Sequence, residues 1–529
     1  MAFERLLLRG RIPLLILFCA FLIAAHFLFL GFTSWDGLSY RVPPIVELLQ
    51  HGSLGSWKFD YAPARYFSPF FELVHFPFLK LFGLPGLYFS FALVLLPLSV
   101  VAVYVFVREL SGNERWASYS ALAFLALPFV NTQPFSGYID FAVIGALAFF
   151  LFALWRAIRQ DRLSLPAVAT LSVATFAFSM SRQQAPYMAL LLTAVVLFWR
   201  LGPFNAAKET ERWGLKGHLL RLTVVVLAIA LGLIPAAYLH LDRFLSYGSP
   251  IYPYRFEVLG LSSPAGMPRE EVFQWAGLPA PGWAGLLRGF VRAWLVPERW
   301  PRDFYDGRTL GVGLLFWLTL LTAPFLGRAL NRDTKFLCLA FVGVSLLSQD
   351  FWLPRWSMTG VLALVLALGA ALAWLGSHGP RLVWALLLTA LMLHLGRPLF
   401  DIYSLRHSVP YVRADLAGSP LFIGEESAAG VVDIYPDLGE DFVIVRPVEN
   451  GFMLPLYGRR LSNRVVGVLD DPRPDAQCAV QPAGASAALI VDQHAELPKA
   501  APHCGWVCAH VDQGLCLAGS LVHNEPPES

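Results

Sequence analysis

The chain has 529 residues and a formal net charge of +3, with 56% of its residues drawn from the apolar set AVILMFWYC and only 15% charged. Mean hydropathy is +0.56, whereas a typical soluble domain carries about 25% charged residues and soluble cores stop growing near roughly 250–300 residues. These numbers exclude a soluble globular protein, a disordered chain and a collagen-like or coiled-coil architecture, and the charge is too small to argue for nucleic acid. They predict an α-helical polytopic membrane protein.

A transmembrane helix needs about 20 mostly apolar residues. About eleven such runs are found by hydropathy. They begin near Ile12, Pro85, Trp116, Tyr138, Pro166, Pro186, Leu219, Leu310, Phe336, Met358 and Leu382. The first run, Ile12 to Phe32, is too long for a signal peptide, and no small-residue cleavage site follows it, so it reads as a retained span. The gap from Arg182 to Pro186 makes the fifth and sixth runs the hardest pair to separate.

Basic residues set the orientation. Arg5, Arg9 and Arg11 precede the first run, and Arg108 and Arg115 flank the second and third. Arg156, Arg159 and Arg162 follow the fourth. Arg200, Lys208, Arg212, Lys216 and Arg221 lie between the sixth and seventh, and Arg328, Arg332 and Lys335 between the eighth and ninth. All fall on one side, which the positive-inside rule makes cytoplasmic. The N-terminus is then inside, the C-terminus outside, and the chain a multi-pass protein of the inner (plasma) membrane.

Residues 1–396 thus form a transmembrane domain with long outer loops at 33–84 and 241–309. Residues 397–529 form an extracytoplasmic domain. That tail alternates polar and apolar residues, as in Asp441-Phe-Val-Ile-Val-Arg446 and Ala488-Leu-Ile-Val-Asp492, and reads as a small α/β or β-rich soluble domain. Cys19 and Cys338 lie in spans, where a cysteine is most simply small apolar filler. Cys478, Cys504, Cys508 and Cys516 lie in the tail. An even number in an oxidising compartment implies disulfides, with three pairings open. Zinc is the rival, since Cys504 and Cys508 are close in sequence, but no CxxC pair supports it.

Chemistry is expected at the outer face. Asp36, in Ser34-Trp-Asp-Gly-Leu-Ser-Tyr40, stands just beyond an apolar run. At headgroup depth a carboxyl is desolvated, which favours its holding a proton, as a general base for a hydroxyl requires. Asp is also a favoured N-cap, so Asp36 reads equally as the cap of a helix from Gly37 to Gln50. Tyr40, Asp60 and Glu72 are auxiliary candidates in the same loop. Glu72, within an apolar interfacial stretch, is either a second acid or a side chain reaching for water. Asp140 opens the fourth run after Gln133-Pro-Phe-Ser-Gly-Tyr-Ile139, where capping is the plain alternative. Arg182 and Arg355 are the basic residues of the short outer loops, against the positive-inside trend. Arginine is suited to phosphate or pyrophosphate; headgroup anchoring is the alternative.

Carboxylates and arginines at an outer interface fit a lipid-linked phosphorylated substrate with a hydroxyl to deprotonate, such as a sugar on a polyprenyl phosphate. No Walker motif, GxGxxG after a strand, HExxH or Gly-x-Ser-x-Gly elbow is present, which leaves ATPase, dehydrogenase, zincin and lipase readings unsupported.

On these residues the chain resembles bacterial integral-membrane glycosyltransferases of the GT-C fold, in particular the protein-mannosyltransferase-like and aminoarabinose-transferase-like members. Ser34 to Tyr40 with Glu47-Leu-Leu-Gln-His-Gly52 is similar to their first outer loop, and Ser136-Gly-Tyr-Ile-Asp140 to their second acid. Tyr247-Gly-Ser-Pro-Ile-Tyr-Pro253 is similar to a GNPxYP element. Asp306-Gly-Arg-Thr-Leu-Gly-Val-Gly313, Arg355-Trp356, and Leu456-Tyr-Gly458 with Asn463-Arg464 are similar to later landmarks. Three features depart from the family. Asp36 stands without an acidic partner beside it, Tyr61-Ala-Pro-Ala-Arg65 replaces a Lys-Pro-Pro element, and Arg182 replaces a lysine.

The resemblance implies a transferase that moves a sugar from a polyprenyl-phosphate donor to an acceptor hydroxyl on a glycan, lipid or protein, with inversion. Asp36 is the base it implies, Asp140 its assistant, and Arg182 and Arg355 the ligands of the donor phosphate. Some members use a divalent metal; no ligand set is evident here, so no cofactor is expected. The rival readings are an O-antigen ligase or polymerase, a transporter or flippase of lipid-linked sugars, and a scaffold. Ligases of that kind tend to carry one large outer loop. A transporter should show charges in mid-span or matching broken halves, whereas the charges here sit at span ends.

Overall fold

The computed structural model of the chain describes residues 41–52, 68–160, 164–201, 206–251, 255–258, 261–266, 312–347 and 357–408, the strands of the tail and a few single positions. Residues 12–32, the first expected span, lie outside the described residues except for Phe21. The chain divides into two compact units. One comprises Met1–Ala20, Ala92–Pro134 and Tyr138–Leu405; the other comprises Phe21–Phe91, Phe135–Gly137 and Arg406–Ser529.

The first unit is helical. In chain order it holds α1 (Leu96–Ser111), α2 (Glu114–Leu125), α3 (Pro128–Ser136), α4 (Asp140–Arg159), α5 (Leu165–Ser179), α6 (Ala185–Leu201), α7 (Ala206–Tyr247), α8 (Leu314–Ala329), α9 (Arg332–Leu347), α10 (Met358–His378) and α11 (Arg381–Ser408). Each expected span after the first coincides with helix. Among the described residues four helices are long and apolar enough to cross a membrane: Gly86–Ser111, Asp140–Arg159, Leu220–Tyr247 and Met358–His378. Four shorter apolar helices accompany them, at Leu165–Ser179, Ala185–Trp199, Leu314–Ala329 and Arg381–Leu395. The protein is thus a helical membrane protein.

A helix that is apolar all round must be buried in protein or solvated by lipid. Both cases occur. Met358–His378 is 89% buried within the protein and Leu220–Tyr247 only 28%, so the first is a core helix and the second presents Leu220, Leu227, Leu231 and Ile234 outward. Small residues let the core helices approach closely, the usual means of packing where lipid removes the hydrophobic drive. A Cβ at Gly145 on α4 would meet the Ser99 side chain of α1, and a Cβ at Gly369 on α10 would meet Ser120 of α2. Trp116 Nε1 donates to the Leu366 carbonyl at 3.0 Å across the same α2–α10 seam.

Helix ends follow local chemistry. Asn113 caps α2, its Oδ1 accepting from the amides of Arg115 at 2.9 Å and Trp116 at 3.1 Å, a cap worth about 1 kcal/mol. The arginines that set the orientation bind the exposed carbonyls of helix C-termini. Arg159 Nη1 donates to Glu109 O at 2.9 Å, and Arg221 Nη2 donates to Ala157 O at 2.8 Å.

Two boundaries differ from expectation. The third span is not one helix but two, α2 and α3, because Pro128 disfavours helical backbone at the residue before it. The seventh runs to Tyr247 instead of ending near Leu241. Nothing in Asp242-Arg-Phe-Leu-Ser246 breaks it, and the stop is Gly248, at φ 74° with its amide donating to Phe244 O at 2.8 Å, the left-handed end that glycine permits. The fifth and sixth expected spans are separate helices, α5 and α6, joined by a turn that carries Arg182.

Among the described residues of the second unit, α-helices span Pro43–His51, His75–Phe82 and Gly86–Ser90. The α-helix expected from Gly37 begins at Pro43; before it, the Val42 amide donates to Gly37 O at 3.2 Å. The tail of this unit contains strands β1 (Phe422–Ile423), β2 (Val431–Val432), β3 (Phe442–Pro447), β4 (Arg464–Val468), β5 (Ala487–Val491), β6 (Trp506–Asp512) and β7 (Leu515–Ser520). The last five form a sheet in the order β4-β3-β5-β7-β6. β3 runs parallel to β4 and β5, and β7 antiparallel to β5 and β6. β3 and β5 fall on the two alternating stretches singled out from sequence.

Candidate active site

Asp140 is the first residue of α4, and 1% of it is exposed. The helix preceded by Ile139 has no side-chain cap from its N-cap residue. Asp140 does not take that role either, since its two carboxylate oxygens have other partners. Oδ1 forms an ion pair with Arg182 Nη2. Oδ2 accepts from Gln133 Nε2 at 2.6 Å. The amide oxygen of Gln133 in turn accepts from the Phe141 amide at 3.1 Å, satisfying one of the orphan donors of the helix start. Gln133, itself fully buried, therefore caps α4 through space and fixes the Asp140 carboxylate.

Each member is placed by its own element. Gln133 comes from α3, the polar half of the split third span. Asp140 comes from α4. Arg182 comes from the α5–α6 turn, where its carbonyl accepts from the Ala185 amide at 3.1 Å. Its side chain is 14% exposed. A guanidinium has five N–H donors, and the ion pair with Asp140 engages Nη2. Of the expected site residues, the structure brings Asp140 and Arg182 together.

The second unit has its own buried polar cluster. Arg41 Nη1 and Glu72 Oε1 form an ion pair at 2.6 Å, with the side chains 8% and 1% exposed. Glu72 does not reach for water. His75 is fully buried, its Nδ1 2.5 Å from Ser90 Oγ and its ring stacked on Phe91 at 4.1 Å. Burial pushes its pKa down to about 3, because a low-dielectric surrounding disfavours the imidazolium. Asp36, Tyr40, Asp60, Arg355, Cys478 and Cys504 lie outside the described residues, and Cys508 and Cys516 are described by backbone alone, on β6 and β7. Among the described residues no three His, Cys, Asp or Glu side chains come together as a metal-binding group.

Sequence reading missed Gln133, Arg41 and His75. Gln133 stood in the very segment that ends at Asp140, and an amide in an apolar run four residues before Gly137-Tyr138 is a readable signal. A lone histidine in an apolar stretch is not.

No protein-family model matches the chain, and no curated protein does. Among solved structures, ArnT from Cupriavidus metallidurans bound to undecaprenyl phosphate aligns with 98% of this chain and 99% of its own, at 14% identity and a TM-score of 0.44. The same protein in the apo state gives 16% identity and a TM-score of 0.41, over 96% of this chain and 98% of its own. The archaeal oligosaccharyltransferase AglB from Archaeoglobus fulgidus, in complex with an inhibitory peptide and a dolichol-phosphate, gives 12% and 0.40 over 96% of this chain and 74% of its own. At these values residue roles rest on the geometry of this chain alone.

Proposed function

We propose that the protein is a membrane glycosyltransferase that moves a sugar from a polyprenyl-phosphate donor to an acceptor hydroxyl at the outer membrane face. The observation that carries this reading is the buried Asp140–Arg182 pair braced by Gln133. It lies at the span ends that the positive-inside count assigns to the outside, at the depth of lipid phosphates. An acid and an arginine held there by a fixed amide are preorganised, and preorganised charge is what stabilises a leaving phosphate.

In the proposed reaction the acceptor oxygen attacks the anomeric carbon as the bond from that carbon to the phosphate oxygen breaks, in one displacement with inversion. The acceptor proton passes to Asp36. The electron pair leaves with the lipid phosphate, whose charge is met by Arg182 and Arg355. Taking a proton would cost Asp140 its ion pair, so its role is to orient Arg182 and the acceptor. Tyr40, Asp60 and Glu72 remain auxiliary, with Glu72 held in its ion pair with Arg41. No step calls for a metal or other cofactor.

Two measurements test this. Mass spectrometry of envelope glycans and polyprenyl-phosphate sugars, with and without the gene, should show one modification lost and its lipid-linked donor accumulated; identical profiles would overturn the reading. In proteoliposomes supplied with that donor, Asp36→Asn should lower the rate about 10²–10⁴-fold while donor binding survives. Near-normal transfer by Asp36→Asn would move the base elsewhere.

A further inference from the structure

Arg41 and Glu72 stand 31 positions apart in the loop 33–84, and the reaction proposed above gives neither of them a step. Arg41 Nη1 donates to Glu72 Oε1 at 2.6 Å, and both side chains are buried. Taking two such charges out of water costs about as much as their attraction returns, and an apolar pair of similar volume often holds a fold as firmly. Stability is therefore a poor account of this pair. What an arginine–carboxylate contact adds is direction, because it fixes where one residue stands against another.

The stretch of backbone that it fixes is short. The Val42 amide donates to Gly37 O at 3.2 Å, which closes the chain from Gly37 to Val42 into one bend, and Gly37 is buried. Arg41 lies within that bend. Beyond it Pro43 and Pro44 open the helix Pro43–His51. Their rings hold φ at about −65°, so on that side the bend moves only with the helix. Glu72 comes from a second element, the 3₁₀ turn Glu72–Val74 that leads into His75–Phe82. That turn is closed in its own right, the Leu73 amide donating to Pro69 O at 3.1 Å. Arg41 thus ties the bend to the far part of the loop. In sequence the residue before Gly37 is Asp36, and consecutive Cα atoms are about 3.8 Å apart. The residue read as the base is therefore one peptide bond from backbone that the Arg41–Glu72 pair holds.

We propose that Arg41 and Glu72 are positioning residues for Asp36, their ion pair setting where that carboxyl stands against the acceptor hydroxyl. This role rests on the reading of Asp36 as the base. A base must come within hydrogen-bond reach of the proton it takes, about 2.6–3.2 Å, and a misplacement of about 1 Å costs up to about 10²-fold.

The test is a double-variant cycle. Cells lacking the gene receive each variant, and mass spectrometry follows how fast the lost envelope modification returns per folded molecule. Glu72→Gln keeps the shape of the side chain and removes its charge. It should slow the return about tenfold or more in the wild-type background. In the Asp36→Asn background, with the residual rate read over a longer induction, it should add nothing, since a residue that acts through the base has nothing left to act on. Retention of undecaprenyl phosphate, read by native mass spectrometry of the full chain, should be the same in Glu72→Gln and wild type. Should Glu72→Gln not accumulate as folded protein, Arg41→Lys, which keeps the charge and loses the planar fork, carries the same cycle with a smaller loss expected. A pair that only held the fold would lower transfer by the same factor in both backgrounds. That result, or normal transfer by Glu72→Gln where Asp36→Asn is impaired, overturns the positioning role and leaves the base in place. Near-normal transfer by Asp36→Asn overturns both together.

Discussion

The Asp140–Arg182–Gln133 cluster makes a quantitative demand. Each carboxylate oxygen has its own partner, so each partner can be removed alone. Arg182→Ala strands a carboxylate that is 1% exposed, and removing one side of a buried pair costs about 3–5 kcal/mol. Asp140→Asn strands the guanidinium instead. That side chain is 14% exposed and water relieves part of the cost, so about 2 kcal/mol is expected from the loss of a charged hydrogen bond. Gln133→Ala removes one bond to the carboxylate and one to the Phe141 amide, again about 1.5–3 kcal/mol. The double variant Asp140→Asn with Arg182→Ala should cost less than the sum, because neither charge is then left alone. A coupling of about 2–3 kcal/mol is expected. Denaturant unfolding in detergent micelles, followed by circular dichroism, reads all four. Single costs below about 1 kcal/mol that simply add would mean that the pair is solvated and the buried site illusory.

Other outcomes follow from single residues. His75 is neutral when folded, with its pKa pushed from 6.5 to about 3, so the unfolded chain binds a proton below 6.5 that the folded chain refuses. Stability is therefore fully present above about pH 6.5 and falls as pH drops toward 3, by about 1.4 kcal/mol per unit at most. Melting between pH 6.5 and 5 should show that slope in wild type and lack it in His75→Gln; equal slopes would place the acid sensitivity elsewhere. A reporter active only outside the cytoplasm should work when fused after Ser529 and fail when inserted near Lys208, and the reverse pattern would invert the orientation. Cys478, Cys504, Cys508 and Cys516 should resist alkylation until a reductant is added, and loss of a bridge typically costs about 2–5 kcal/mol; labelling of all four without reductant would remove the disulfides. Gly369→Val should push α10 off α2 at Ser120 and lower the yield of folded protein, whereas Gly343→Val, with nothing near its Cβ, should not.

The residues themselves explain which parts of this structure can be read from one dimension. Lipid solvation is a sum of transfer free energies along the chain, so α1, α4, α7 and α10 announce themselves as runs. The split at Pro128 and the stop at Gly248 were also written in the chain, but hydropathy windows average over them. Asp242 and Arg243 looked like the edge of a span because charge lowers the window mean; neither residue stops a helix, and α7 runs on to the left-handed Gly248. The site is different in kind. Asp140 and Arg182 could each be placed at the outer face one at a time, yet their union is a pairwise term between distant positions, and nothing local to either residue specifies it. Gln133 compounds this, because its two bonds are useful only once α3 and α4 have been set against each other. A buried charge with a partner says that folding has already met its cost.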